Sequence, residues 1–203
     1  MTIDGSMLNV SRETTRRLDI FEQLVRKWNP RINLVSRNSL HLVRSRHFAD
    51  SIQVFRAAPE SKHWVDLGSG GGFPGLVVAI MAIEEMPKLQ VTLIESDQRK
   101  STFLRTVNRE LGLNCQVLAE RIEEVPPMQA DILSARALAP LHQLIEHSER
   151  HLAKAGISLF SKGVRWQSEV AAALLRWRFQ VDVIESQTMP GAAILKIQGA
   201  TRV

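Results

Sequence analysis

The chain opens on helical periodicity. In "LDIFEQLVRKW" the apolar residues Leu18, Phe21, Leu24, Val25 and Trp28 recur at steps of three and four, which places them on one helix face. Asn29-Pro30 follows and predicts the end of that helix, because proline disfavours helical backbone in the residue before it. A second helix is predicted from about Ser39 to Arg56, with Leu42, Val43, Phe48, Ile52 and Phe55 inward and Pro59 just beyond. After that the period changes. Strand-like runs at His63–Leu67, Val91–Ile94, Gln116–Leu118, Asp131–Ala135 and Ile157–Ser161 alternate with helix-like runs at Pro74–Met86, Gln98–Leu111, Leu138–Ala153 and Gln167–Trp177. The stretches "FQVDVIES" and "AILKIQG" then read as a closing pair of strands. This alternation predicts an α/β fold, a mostly parallel sheet with helices on both faces, preceded by a helical extension. The expected division is residues 1–60 for the extension and 61–203 for the sheet domain.

Composition narrows the class. A chain of 203 residues buries enough surface to need no staple. The single Cys115 has no partner within the chain and no Cys/His cluster has metal-ligand spacing, so a reducing, cytoplasmic setting and no metal are expected. "MTIDGSMLNV" lacks the basic-then-apolar pattern of a leader, and no apolar run approaches the ~20 residues that span a bilayer. The net charge is +5, and its distribution says more than its size. Between Arg12 and Arg46 there are nine Arg or Lys against three acids. Such a bias marks either a solvated helical surface or contact with a polyanion. Nothing suggests a large subunit interface, so a monomer is expected.

The candidate chemistry begins at "VDLGSGGGFPG", Val65 to Gly75. A strand, then glycines, then a helix presents bare backbone N–H groups to a ligand at the end of a parallel sheet. The loop scans in two frames. Gly70, Gly72 and Gly75 spell the dinucleotide fingerprint, whereas Gly68, Gly70 and Gly72 spell G-x-G-x-G after Asp66. The second frame fits better. Pro74 suits a first helical turn, which puts Gly75 inside the helix, and Asp66 would repel a pyrophosphate while accepting from a ligand's ammonium group. A ligand with a cationic amino-acid end and an adenosine end fits, as S-adenosylmethionine does. The alternative is a structural turn with a buried capping Asp. In "VTLIESD", Glu95 sits where a carboxylate can take both ribose hydroxyls, and Asp97 suits the cap of the next helix. In "AERIEEV", backbone around Ile122 and the Glu123 carboxylate can meet adenine's edge.

In order along the chain, "KWNPRINLVS", "RHFADSI", "VDLGSGGGFPG", "LIESDQRKSTFLR", "ERIEEV", "ADILSARALAPL" and "SKG" carry a resemblance. It spans about Trp28 to Lys162, and the last forty residues match only in pattern. Together these motifs resemble the bacterial small-subunit ribosomal RNA methyltransferases of the RsmG type, also called GidB. The resemblance implies a class I S-adenosylmethionine-dependent methyltransferase fold, Rossmann-like, that makes 7-methylguanosine in 16S rRNA of the small ribosomal subunit. It also implies a cofactor site with Gly68 and Phe73 at the first loop, beside the Asp66 and Gly70 read above as cofactor contacts, with Glu95 on the ribose, Ile122 and Glu123 at the adenine, and Arg136 at the end of the fourth strand. One departure stands out: the family often carries Asp where this chain has Glu95.

The implied chemistry asks little of side chains. Guanine's seventh nitrogen has a free lone pair, so methylation there needs positioning and no base. "SARALAP" holds no Asn/Asp-Pro-Pro-aromatic turn of the kind that serves exocyclic amines, and Cys115, before the third strand's apolar residues, reads as a packed thiol. For RNA the candidates are Arg46, His47, Lys100, Arg105, Arg121 and Lys162, with Lys162 placed nearest the target nucleotide. Lys100 and Arg105 read equally as a solvated helix face; His47 reads as structural or as an RNA contact. Arg136 would pin either a cofactor-loop backbone or a phosphate, and Trp28 reads as core before it reads as a stacking platform. Competing readings are a small-molecule or protein methyltransferase, a nicotinamide oxidoreductase, and a non-catalytic RNA-binding protein. The absence of any Tyr removes the Tyr-x-x-x-Lys pair of one such oxidoreductase class.

Overall fold

The structure of the protein, a computed structural model, describes residues 8–203. Residues 1–7, most of the stretch expected to lack a leader, lie outside it. The elements run α1 (Arg12–Ile32), α2 (Ala49–Ala57), β1 (His63–Leu67), α3 (Gly75–Glu85), β2 (Gln90–Ile94), α4 (Gln98–Glu110), β3 (Cys115–Leu118), β4 (Ala130–Arg136), α5 (Leu141–His151), β5 (Leu152–Lys162), α6 (Trp166–Leu174), β6 (Trp177–Glu185) and β7 (Ala193–Arg202). They build a seven-stranded sheet in the order β3-β2-β1-β4-β5-β7-β6. β1 lies parallel to β2 and β4, and β7 returns antiparallel between β5 and β6.

Successive residues of each strand face opposite sides of the sheet, so neighbours in sequence join different cores. Trp64, Leu93, Ile132 and Leu159 pack with α1, α2, α3 and α4, while Val65, Ile94, Leu133 and Phe160 pack with α5 and α6. Leu18, Phe21 and Val25 of α1 are buried in the first of these cores together with Phe48 and Phe55. The N-terminal helices therefore share a core with the sheet. Trp28 also packs there, 5.7 Å from the Phe103 ring between centroids. Among the described residues no helix is long and apolar enough to cross a membrane.

Some elements depart from expectation. α1 does not stop at Asn29-Pro30; Pro30 sits in its last turn and the helix ends at Asn33, which takes a left-handed φ of 48°. Asn29 stays in the helix and its side-chain Oδ1 accepts from the Val35 amide at 2.8 Å, folding the chain back under the helix end. The expected helix over Ser39–Arg56 is three pieces: a 3₁₀ segment (Arg37–Leu42), a π-helical turn (Val43–Phe48) and α2. The widened turn keeps Val43 and Phe48 buried, sends Arg44 to Asp19 and Glu22 of α1, and leaves Arg46 and His47 on the wall of a cavity. Inserted turns of this kind recur at functional sites. α5 begins at Leu141 rather than Leu138. Ala137 takes a φ of 52°, Pro140 disfavours helix before it, and residues 137–140 form a loop above the sheet.

Candidate functional site

The strand order reverses at β1, with β2 on one side and β4 on the other, and the loops leaving β1 and β4 diverge there. Register sets what meets. Leu67 pairs with Ile94 and with Ala135, so the glycine loop, Glu95 and Arg136 all leave the sheet at one level. A cavity of about 470 Å³ opens between them. Gly68, Gly70, Phe73, Glu95, Ile122, Glu123 and Arg136 line it, and so do Lys100, Arg121, Glu120, Gln143 and His147.

Glu95 is buried, and its two oxygens are aimed along the loop: Oε2 accepts from the Gly70 amide at 2.8 Å and Oε1 from the Asp97 amide at 2.9 Å. A carboxylate offers about four acceptor positions, so each oxygen retains one for a ligand hydroxyl. Asp97 caps α4 by accepting from the Arg99 and Lys100 amides. Gly70 has a φ of 53°, and a Cβ built there meets nothing closer than Gly68 O at 3.7 Å. A side chain at this position would project into space that a ligand lying on the loop can use. The residues present therefore fit an adenosine ligand: bare backbone at the first loop, a buried carboxylate at the second and the Ile122–Glu123 segment at the third.

Asp66 takes the alternative reading, a buried acid at the helix start, and not the ligand contact that the loop suggested. It does not line the cavity; it is fully buried, where Oδ1 accepts from Ser134 Oγ at 2.6 Å and Oδ2 from the Gly75 amide at 3.2 Å. The reason is register, because Asp66 pairs with Ser134 across β1 and β4. Gly75 closes the arrangement, since a Cβ there would lie 2.7 Å from Asp66 Oδ2 and 2.4 Å from Leu93 Cδ2. Asp66 thus ties β1, β4 and the start of α3 together beneath the ligand loop. Burial raises its pKa from 3.8 to about 6 against the opposing hydrogen bonds from Ser134 and Gly75. The folded state holds this proton after the unfolded chain has released it, so stability falls as pH rises through that window and levels above it. The two values differ by about 3 kcal/mol. Urea unfolding of the wild type and Asp66→Asn across that window is expected to show the wild type losing about this much relative to the variant. A difference independent of pH would overturn the assignment.

A larger cavity, about 920 Å³, adjoins the smaller one and shares Leu34, Arg136, Ala137, Leu138 and Ala139 with it. Arg46, His47, Asp50, Gln53, Lys162, Arg165, Glu169 and Met189 line it. Leu138 stands at the boundary, its Cδ1 2.5 Å from where a Cβ on Gly68 would be. Arg136 lines both cavities, and its one side-chain hydrogen bond among the described residues goes to His47 and not to a loop carbonyl. Its Nη1 donates to His47 Nδ1 at 2.8 Å and its guanidinium lies 5.0 Å from the Phe73 ring centroid. Burial lowers its pKa to about 10, which leaves it charged at neutral pH. Phe73 is buried as well, its ring stacked 5.2 Å from Phe21.

The candidates expected to hold RNA divide. Arg46 and His47 line the larger cavity, and Lys100 and Arg121 line the smaller one. Arg105 lines neither of these cavities and donates to Val117 O at 3.2 Å. Lys162 lines the larger cavity with its ammonium already engaged, donating at 2.7 Å to both Ala139 O and Glu169 Oε2. Its side chain is only 8% exposed, and Glu169 Oε2 also accepts from the Leu141 amide. Lys162 holds the 137–140 loop in place rather than facing outward. The basic bias of the first helices is also partly cancelled, with Arg44 on Asp19 and Glu22, Arg26 on Glu22 and Arg17 on Glu84. Asp50, inside the quoted motif "RHFADSI", and Arg165, two residues after "SKG", also line the larger cavity without having been named as site candidates. Cys115 starts β3, at the end of the sheet away from the ligand loops, and burial pushes its thiol up to about 12.

Comparison with known proteins places the chain. The family model GidB, rRNA small subunit methyltransferase G, matches residues 14–194. A ribosomal RNA small subunit methyltransferase G of Ruegeria pomeroyi is 57% identical over 203 residues, covering 100% of both chains. A protein of the same name from Cereibacter sphaeroides is 50% identical over 199 residues, covering 98% of this chain and 97% of its own. Among solved structures, a methyltransferase from Geobacter sulfurreducens superposes with a TM-score of 0.58 at 16% identity, covering 97% of this chain and 94% of its own. M. jannaschii TYW2 in complex with AdoMet gives 0.56 at 13% identity, covering 79% and 77%. These structures share the fold, a Rossmann-like methyltransferase sheet. By sequence, the chain belongs to the rRNA small subunit methyltransferase G family.

Proposed function

We propose that this protein methylates the ring nitrogen-7 of one guanine in 16S rRNA, taking the methyl group from S-adenosylmethionine, and that it acts on the small ribosomal subunit. The observation that carries this reading is the pairing of two cavities across Arg136. The smaller has the backbone and carboxylate an adenosine ligand needs, and the larger has room for a base and basic residues at its wall. Gly70 would lie under the ligand, Glu95 would take the ribose hydroxyls, and Ile122 and Glu123 would meet the adenine. Bound there, S-adenosylmethionine supplies an electrophilic methyl group. The protein's contribution is to hold the target nitrogen against it. That nitrogen carries a free lone pair, no proton leaves it, and no general base is required. This agrees with a His47 whose neutral ring takes its hydrogen bond from Arg136 and none from a carboxylate, although Asp50 lines the same cavity.

The target base sits in folded RNA, so it must be exposed or flipped to enter the larger cavity. Arg46 and Arg165 on that wall would meet the phosphates beside it. Arg46→Ala is expected to lower the slope of log affinity on log salt by about one, with a uniform loss of affinity for RNA. Filter binding across a salt series reads this out, and an unchanged slope would remove Arg46 from the contact. The reading as a whole is tested by supplying methyl-labelled S-adenosylmethionine with small and large ribosomal subunits separately. Label in the small-subunit RNA alone is expected; label in protein, in large-subunit RNA or in neither counts against it.

A further inference from the structure

A residue on the wall of the larger cavity holds a buried ring nitrogen with no partner among the described residues. His47 is 7% exposed, its ring centroid 5.2 Å from that of Phe73, and its Nε2 makes no hydrogen bond among the described residues. The other ring nitrogen fixes what Nε2 is. Arg136 Nη1 lies 2.8 Å from Nδ1, and a guanidinium has donors only, so Nδ1 accepts. Burial first, then the charges of Arg136 and Arg46, hold the imidazole at about 3, so the ring is neutral at physiological pH. A neutral imidazole that accepts at Nδ1 carries its proton on Nε2. His47 lines the cavity, and its Nε2 is therefore a donor of fixed tautomer, unsatisfied and shielded from water, that an entering ligand reaches only by displacing what covers it. Unsatisfied buried donors are rare and costly, and one beside a binding cavity points to an acceptor on the ligand.

Its location narrows that acceptor. Arg136, which holds His47, lines both cavities, so the donor sits close to where they join. That is where the methyl group must meet its target. Guanine's outer edge shows two acceptors side by side, N7 and O6, whereas adenine shows N7 beside an amine donor. N7 must keep its lone pair free to take the methyl, which leaves O6 for recognition. We infer that His47 selects the target base by donating from Nε2 to guanine O6, an assignment that rests on the guanine reading above. A neutral donor suits the task. It adds no charge of its own beside a base that becomes cationic on methylation, and it sets donor against donor if adenine enters. Phe73 and Arg136 act as positioning residues, one packing the ring and the other setting its tautomer.

The test uses small ribosomal subunits reconstituted with 16S rRNA carrying either guanine or 2-aminopurine at the methylated position. 2-Aminopurine keeps N7 and lacks O6 together with the N1 proton, so the diagnostic is the part of the preference that depends on His47. Wild-type protein is expected to favour guanine in kcat/KM by about 10- to 100-fold, the scale for a site that loses one designed hydrogen bond. His47→Phe should lower kcat/KM for guanine and reduce that ratio, leaving S-adenosylhomocysteine binding unchanged; His47→Leu serves if the larger ring does not fit. His47→Gln, which can place an amide N–H near Nε2 and a carbonyl toward Arg136, should restore part of the ratio. A structural role would lower both substrates together and leave the ratio intact. A wild-type ratio near one, or a ratio unchanged by loss of the imidazole, overturns the assignment. Wild-type protein that leaves guanine itself unmethylated overturns instead the reading on which it rests.

Discussion

Glu95→Ala is expected to weaken S-adenosylmethionine and S-adenosylhomocysteine binding by about a hundredfold or more. The estimate is two charge-assisted hydrogen bonds lost to the ribose, at about 1.5–3 kcal/mol each. A second loss adds to it. Glu95 also accepts from the Gly70 and Asp97 amides, so truncation frees the backbone that the cofactor lies on. Glu95→Gln keeps the length and removes the charge, and should fall between. Glu95→Asp retracts the carboxylate by one methylene and should retain binding within about tenfold, because the loop can follow. Titration calorimetry with S-adenosylhomocysteine separates these cases. Wild-type affinity in Glu95→Ala would place the ribose elsewhere.

Phe73→Ala carries the other large effect, on stability. Phe73 was expected to serve the cofactor, and it does border that cavity, but its ring is shared among several neighbours. Phe21 of α1 stacks on it at 5.2 Å, Phe48 lies at 6.0 Å, His47 at 5.2 Å, and the Arg136 guanidinium at 5.0 Å. Removing the ring opens a cavity where the N-terminal helix, the π-helical turn and the glycine loop converge. The expected loss is about 3–5 kcal/mol, and for a chain this long about 10 °C in Tm. Loosening His47 and Arg136 should also reduce kcat for methyl transfer at saturating cofactor. Thermal melts followed by circular dichroism test the first part. A variant that melts with the wild type would mean that the N-terminal helices are not coupled to the ligand loop through this ring.

What the sequence showed and what it hid follow from range. β1 was legible because an apolar run ended in glycines, and Asp97 was legible as a cap because capping needs only the next few amides. Asp66 was not. A lone acid at the end of an apolar strand can face a ligand or a neighbouring strand, and only the pairing with Ser134, sixty-eight residues away, decides between them. The partners of Lys162 were hidden for the same reason. The residue reads as a free cation at a strand end until α6 brings Glu169 against it. The stretch from Ser39 to Arg56 shows how periodicity fails locally. Steps of three and four fit an α-helix, a 3₁₀ turn and a π turn nearly alike over six residues, and the choice lay with Arg44 reaching back to Asp19 and Glu22. The Arg136–His47 contact was beyond reach, since nothing near either residue announces the other.

The central claim, methyl transfer to guanine nitrogen-7 in small-subunit RNA, is tested most directly by the chemical identity of the product. The protein and methyl-labelled S-adenosylmethionine are incubated with small ribosomal subunits from cells lacking the activity, and the RNA is digested to nucleosides and separated. The structure and the family together predict label in 7-methylguanosine and in no other nucleoside. Label in any other methylated nucleoside would leave a methyltransferase with a different target atom, and no label despite intact binding of S-adenosylhomocysteine would contradict the substrate itself.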